Sequence, residues 1–191
     1  SLQHLHVRGL SNLEYMIDNN VENTKGGGRS CFFPRLKRLD LWFCPKLKGW
    51  WRSTEEPLHY QLPCLSELEI NSCPNFKGWM PLLPSLSSLF LEEIGSELLE
   101  ETLKQAKSPS TSTSTSLSTL RYLEIQEISI GSCSKSLPNG IQHLSSLETL
   151  KIEYCDEMKA LPAWMCNLAS LNTLCIIGCP HLTERCESDQ G

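Results

Sequence analysis

The residues of this 191-residue chain with the chemistry to bind a metal, exchange electrons or cradle a phosphate are ten cysteines, a close pair of histidines and one glycine run. His4 and His6 alternate, so on a strand both stand on one face. A zinc site needs further ligands, and no thiol or carboxylate stands at ligand spacing from them. Cys175 and Cys179 are four apart, but period-two alternation sends Cys175 to the surface and Cys179 to the core, which separates them as ligands. Gly26-Gly27-Gly28 lacks the Lys and Ser or Thr of a phosphate loop, and the chain contains no G-x-S-x-G, G-x-x-x-x-G-K-[ST] or H-E-x-x-H. No catalytic residue, no metal and no cofactor are expected in this segment, and the chain reads as a non-enzyme.

The elements that place these residues are repeats. Leu36, Leu39, Leu41, Cys44 follow the spacing L-x-x-L-x-[LI]-x-x-C, and so do Leu65, Leu68, Ile70, Cys73; Leu147, Leu150, Ile152, Cys155; and Leu171, Leu174, Ile176, Cys179. Shorter copies stand at Leu2, Leu5, Val7; at Leu86, Leu89, Leu91; and at Leu120, Leu123, Ile125, where Ile128 takes the cysteine position. This is the pattern of a leucine-rich repeat, in which each unit adds one short strand to a parallel stack. The expected fold is an α/β solenoid: a horseshoe with a parallel β-sheet on the concave face and irregular loops or short helices on the convex face. A single unit cannot bury its apolar edge alone, so stacked units share a core of Leu and Ile.

The distance between first leucines varies over 34, 29, 21, 34, 27 and 24 residues. The strand side is therefore kept while the convex side changes length. About seven units make one domain over 1–182, with polar inserts near 18–30 and 108–119 and a polar tail at 183–191. Leu98, Leu99 and Leu103 point to a short convex helix between Glu97 and Lys107. Lys48-Gly49-Trp50 and Lys77-Gly78-Trp79 share an offset from their strands, which assigns both tryptophans to packing between repeats on the convex side. The return path from Ser136 to Ile141 matches that from Ala160 to Met165.

Composition narrows the function classes. Hydrophobic residues make up 40% and charged residues 20%, as in a water-soluble protein, and 17 basic against 22 acidic side chains leave a formal charge of -5. That balance argues against nucleic acid, whose phosphates need clustered Lys and Arg. No apolar run approaches the roughly 20 residues that span a bilayer. Ser1 to Leu10 lacks the apolar core of a signal peptide, and with no initial Met and repeat positions already filled it reads as part of a longer protein. The chain holds no N-x-[ST] acceptor. Reduced, inward-facing thiols at the repeated cysteine position are the expectation for an intracellular setting.

Alternation leaves the residues beside each inward Leu or Ile on the concave surface. The candidate partner-binding face is His4, His6, Arg8, Arg38, Asp40, Trp42, Glu67, Glu69, Phe90, Glu92, Tyr122, Glu124, Lys151 and Glu153. Its first two units are basic with Trp42 beside them, and its centre is acidic through Glu69, Glu92, Glu124 and Glu153. Such a surface suits electrostatic steering of a protein partner; the alternative is a solvated sheet face with no partner. Glu124→Lys and Glu153→Lys are expected to leave folding intact and change binding.

Three stretches carry a finer resemblance: FPRLKRLDLWFCPKLKGWW, LPCLSELEINSCPNFKGWM and LSSLETLKIEYCDEMKALPAWMCNLASLNTLCIIGCPHL. Their Cys-Pro-x-Leu turns and Leu-Pro-x-x-[MI]-x-x-L returns resemble the carboxyl-terminal repeats of plant intracellular immune receptors of the nucleotide-binding, leucine-rich-repeat class, in its coiled-coil branch. The resemblance implies the cytoplasmic sensor end of a disease-resistance receptor. Its partners would be a pathogen effector or a guarded host protein, with an intramolecular contact to a nucleotide-binding module. ATP or ADP would bind in that upstream module, with no nucleotide-site residue in this segment. Two alternatives stay open, a substrate adaptor of a ubiquitin ligase and an extracellular repeat domain of a receptor. The second usually shows a Gly-x-Ile-Pro return and many glycosylation sites, neither of which occurs here.

Overall fold

The computed structural model describes residues 2–17, 33–51, 62–77, 83–95, 98–100, 103, 117, 119–127 and 137–182. The inserts near 18–30 and 108–119 and the tail 183–191 lie outside these, apart from Leu117 and Thr119, as do Gly78, Trp79 and Ile128. Among the described residues nine strands run in chain order: β1 (His4–Arg8), β2 (Tyr15–Ile17), β3 (Arg38–Trp42), β4 (Gly49–Trp51), β5 (Glu67–Asn71), β6 (Ser88–Glu92), β7 (Tyr122–Gln126), β8 (Thr149–Glu153) and β9 (Thr173–Ile177). Seven form one parallel sheet in the order β1-β3-β5-β6-β7-β8-β9, and β2 pairs with β4 in a second, parallel pair. This is an α/β fold dominated by its parallel sheet, with few helices.

Period-two patterning explains the strands. In β3, β5, β6 and β7 the burial alternates half-buried and buried, with the repeated Leu or Ile inward. The register joins those positions across the sheet: Leu5, Leu39, Leu68, Leu89, Leu123, Leu150 and Leu174 are paired in succession. From β3 to β8 the inward rows, with the preceding Leu36, Leu65, Leu86, Leu120 and Leu147, belong to one continuous apolar core, with Leu5 and Val7 packed against it; Leu174 and Ile176 of β9, expected inward, are 42% and 37% exposed and stand outside it. A one-residue slip anywhere would turn this whole set outward, so burial itself fixes the register.

Every strand of the large sheet ends the same way. The next residue (Gly9, Phe43, Ser72, Glu93, Glu127, Tyr154 or Gly178) has φ between 47° and 69°, in the left-handed region. In the first six its N–H donates to the carbonyl of the last residue of the following strand, as Phe43 does to Asn71 at 3.0 Å and Glu127 to Glu153 at 3.0 Å. The turn thus leaves the strand and extends the ladder together. An L side chain in that region costs roughly 1–2 kcal/mol, whereas glycine gives up about 0.5–1 kcal/mol of unfolded-chain entropy. Glu127→Gly is therefore expected to stabilise the fold by about 0.5 kcal/mol. A denaturation midpoint that falls instead would show that the Glu127 side chain contributes more than its backbone strain costs.

A second turn follows at once. Leu47 N–H donates to Cys44 O, Phe76 to Cys73 O, Met158 to Cys155 O and Leu182 to Cys179 O, at 3.0 to 3.2 Å. Pro45, Pro74 and Pro180 sit second in three of these turns, where the ring presets φ. The four expected inward thiols are buried, at 0%, 0%, 1% and 3% exposure for Cys44, Cys73, Cys155 and Cys179. Each Sγ lies 3.3 to 3.5 Å from the carbonyl two residues earlier and donates to it. In the fourth unit, which lacks the cysteine, Ile94 fills this place at 2% exposure.

Burial pushes the Cys73 thiol up to about 11 from its ordinary 9.0, against a smaller opposing hydrogen bond from the Cys44 backbone. The unfolded chain releases this proton first, so the folded state is favoured fully below pH 9 and loses that advantage as pH rises toward 11. Urea midpoints measured across that window are expected to fall, and to fall less in Cys73→Ala. Equal slopes in both proteins would remove Cys73 as the cause.

The opposite wall is built from shorter pieces. Trp50 is buried at 3% and meets Phe76 edge-on at 5.7 Å. The matched return paths both form 3-10 turns, Asn139–His143 after Pro138 and Ala163–Asn167 after Pro162, and Trp164 Nε1 donates to Asn139 Oδ1 at 3.0 Å. Residues 98–100 and 103 are helical, with Leu98, Leu99 and Leu103 buried as expected.

Candidate functional site

The sheet face turned away from the core carries three rows of side chains, because register holds equivalent positions side by side. The first row is His4, Arg38, Glu67, Ser88, Tyr122, Thr149, Thr173, and the second is His6, Asp40, Glu69, Phe90, Glu124, Lys151, Cys175. The third row is Arg8, Trp42, Asn71, Glu92, Gln126, Glu153, Ile177. All fourteen candidate residues stand in these rows. The acidic residues do not form one line: Glu69 and Glu124 share the second row, Glu92 and Glu153 the third.

The basic end is less available than its sequence implies. Arg38 Nε donates to Asp40 at 2.9 Å, Nη1 to Glu67 at 2.9 Å and Nη2 to Glu69 at 3.0 Å. Burial alone would pull the guanidinium down, but Asp40, Glu67 and Glu69 together hold it above its ordinary value. A planar fork of five donors suits three carboxylates at once. Arg8 places its guanidinium carbon 5.4 Å from the centroids of both Trp42 and Phe43, within cation–π range. His6 meets Trp42 edge-on at 4.9 Å and lies 3.4 Å from Asp40 Oδ2 through Nδ1. Trp42 Nε1 is buried with no hydrogen-bond partner of good geometry, and its N–H only partly offsets the rise that burial imposes on the Glu69 carboxyl.

Lys151 closes the other side of the acidic centre. Its Nζ lies 2.7 Å from Glu153 Oε1 and 3.2 Å from Glu124 Oε1, and the hydrogen bond to Glu153 leads in holding its pKa above the usual lysine range. Glu153, expected on the exposed face, is only 7% exposed. Its carboxylate lies against the Lys151 ammonium, the kind of partner that a buried carboxylate needs. Tyr122 O–H donates to Glu124 Oε2 at 2.6 Å, and burial, then that bond, push the phenol up to about 12.

Between these two paired zones lies a region with unbalanced charge. Phe90 and Tyr122 are half-buried, with ring centroids 5.0 Å apart and planes tilted 38°. Glu69 and Glu124 flank Phe90 along its row, and Glu92 stands two residues on. Glu69 is raised by burial first and by Asp40 next; Glu92 is raised by burial, then by Glu127, Glu93, Glu69 and Glu124. Glu92 accepts from Asn71 Nδ2, and Glu93 accepts from Ser72 Oγ. Among the described residues, no cation pairs with Glu92, Glu93 or Glu127.

Sequence reading missed the left-handed row beyond the strands, where Phe43 and Tyr154 are 45% and 48% exposed and Glu93 and Glu127 add charge. Their signal was present as the residue just after each strand motif, but only the turn geometry turns it toward the same edge. Among the described residues no group of three or more His, Cys, Asp or Glu is placed to hold a metal ion, and no helix is long and apolar enough to cross a membrane. No family model and no curated protein matches this chain.

Proposed function

We propose that the chain is a leucine-rich-repeat stack serving as the recognition surface of a plant intracellular disease-resistance receptor, in the coiled-coil branch of the nucleotide-binding class. The observation that carries the recognition reading is the sheet face itself. Seven strands in one register present three rows of charged and aromatic side chains, and they stay continuous from β6 to β7 across the stretch that holds the Ser/Thr-rich insert. Rows held on strands keep their spacing, which suits a protein partner more than a small molecule. The receptor class rests on the Cys-Pro-x-Leu and Leu-Pro return wording.

In this reading the face takes a pathogen effector or guarded host protein, and the stack contacts a nucleotide-binding module that holds ATP or ADP. A cytoplasmic setting accords with the buried reduced thiols. Two measurements test it. Sequence of the transcript upstream of Ser1 is expected to encode a P-loop module; an F-box or a secretion signal would overturn the receptor class. Hydroxyl-radical footprinting of the chain with a captured partner is expected to protect Trp42, Phe90 and Tyr122. Protection confined to the β2–β4 wall would overturn recognition by the sheet face.

A further inference from the structure

We infer that the Phe90–Tyr122 pair and the carboxylates around it form a seat for an arginine side chain supplied by a protein partner. This deepens the proposed recognition reading and rests on it. Charge complementarity between an unpartnered sheet face and its occupant points to that side chain. On the rows of β3 to β8, six carboxylates (Asp40, Glu67, Glu69, Glu92, Glu124 and Glu153) stand beside two cations, Arg38 and Lys151. Arg38 is used up by Asp40, Glu67 and Glu69, and Lys151 by Glu124 and Glu153. Glu92 is left with a neutral amide donor and no cation among the described residues.

The same face already shows how it holds a guanidinium. Arg8 lies over the Trp42 and Phe43 rings, and Arg38 spreads its fork among three carboxylates. The Phe90–Tyr122 seat combines both elements, a half-exposed aromatic face and carboxylates on each side; Arg38 reaches Glu69 and Lys151 reaches Glu124, while Glu92 has no cation among the described residues. Its first-row positions are Ser88 and Tyr122 where β3 has Arg38. A neutral partner would cover Glu92 without supplying it a cation, and an acidic one would repel it. An arginine satisfies both features; a lysine meets the charge but stacks less well.

The test titrates the full 191-residue chain with tetra-arginine, tetra-lysine and tetra-glutamate peptides and follows amide shifts by NMR. Tetra-arginine is expected to shift Phe90, Glu92 and Tyr122 first, to bind more tightly than tetra-lysine, and to weaken with salt. Phe90→Leu keeps the apolar bulk and removes the ring, and Glu92→Gln keeps the shape and removes the charge. Each is expected to weaken tetra-arginine about threefold to fivefold, while Glu148→Gln, beside Arg121 at the flank, leaves it unchanged. Equal affinity for tetra-arginine and tetra-lysine, first shifts elsewhere on the chain, or indifference to both variants overturns the seat. If a captured partner still footprints on the sheet face in those cases, recognition survives and only the arginine seat fails. Tetra-arginine bound at Phe90, with a partner footprint on the other wall, leaves the guanidinium site standing and overturns recognition by the sheet face.

Discussion

Leu150→Asp is expected to abolish cooperative unfolding of the stack, whereas Leu174→Asp, at the same position one unit later, is expected to be tolerated. Leu150 is fully buried in β8 and paired in register with Leu123 and Leu174, so a carboxylate there loses its water and finds no cation. Removing a buried leucine side chain costs about 2–5 kcal/mol, and burying an unpaired charge adds to that. The total approaches the whole stability of a domain this size, about 5–15 kcal/mol. Leu174 is 42% exposed, and its replacement should cost about 1 kcal/mol. Thermal unfolding followed by circular dichroism distinguishes the two. Similar losses in both would mean that β9 is covered in solution, and similar tolerance would mean that β8 is not central to the core.

Glu153→Lys is the second large effect, and it reverses what the face pattern alone predicts. The reversal puts a second ammonium against Lys151, in a place that is 7% exposed and now holds a contact of 2.7 Å. Breaking a buried pair leaves its partner uncompensated, which typically costs 3–5 kcal/mol; with Lys151 partly open to water, about 3 kcal/mol is the expected loss. Glu153→Gln should lose less, because the amide oxygen still accepts from Lys151. Glu148→Lys provides the contrast: its contact with Arg121 is exposed on both sides, and its loss should stay within about 0.5 kcal/mol. Chemical denaturation of the three variants ranks them. A Glu153→Lys protein as stable as Glu148→Lys would show that Glu153 is solvated after all. Glu124 is intermediate, since it accepts from both Tyr122 and Lys151, and Glu124→Lys is expected to disturb folding as well as binding.

These contrasts separate what local pattern can report from what it cannot. Leu150 and Leu174 carry one repeat symbol, yet the first has a strand on either side and the second has one side without a described neighbour. Glu148 and Glu153 are both acidic positions of the sixth unit, but only the second is buried, with a lysine ammonium 2.7 Å away. Arg38 reads as part of a basic end until the register brings Glu67 and Glu69 within 3.0 Å of its fork.

The β2–β4 pair, the left-handed turns and the exposure of Leu174 and Ile176 escape the repeat pattern, whereas the seven strands of the large sheet, the inward residues of β3 to β8, the four buried thiols and the Cys-Pro turns are legible in it. The legible features depend on spacing of two or three residues and on the backbone preferences of Pro and Gly, which act locally. Membership of the three sheet rows followed as well, because alternation leaves no other face for those side chains. Tertiary packing settles which charges cancel, which of two equivalent leucines is sealed, and that Glu92, beside an aromatic pair, has no cation among the described residues. Those outcomes depend on neighbours some 20 to 35 residues away in the chain and on the water that packing removes, and neither distance nor desolvation is encoded in the spacing of a single repeat.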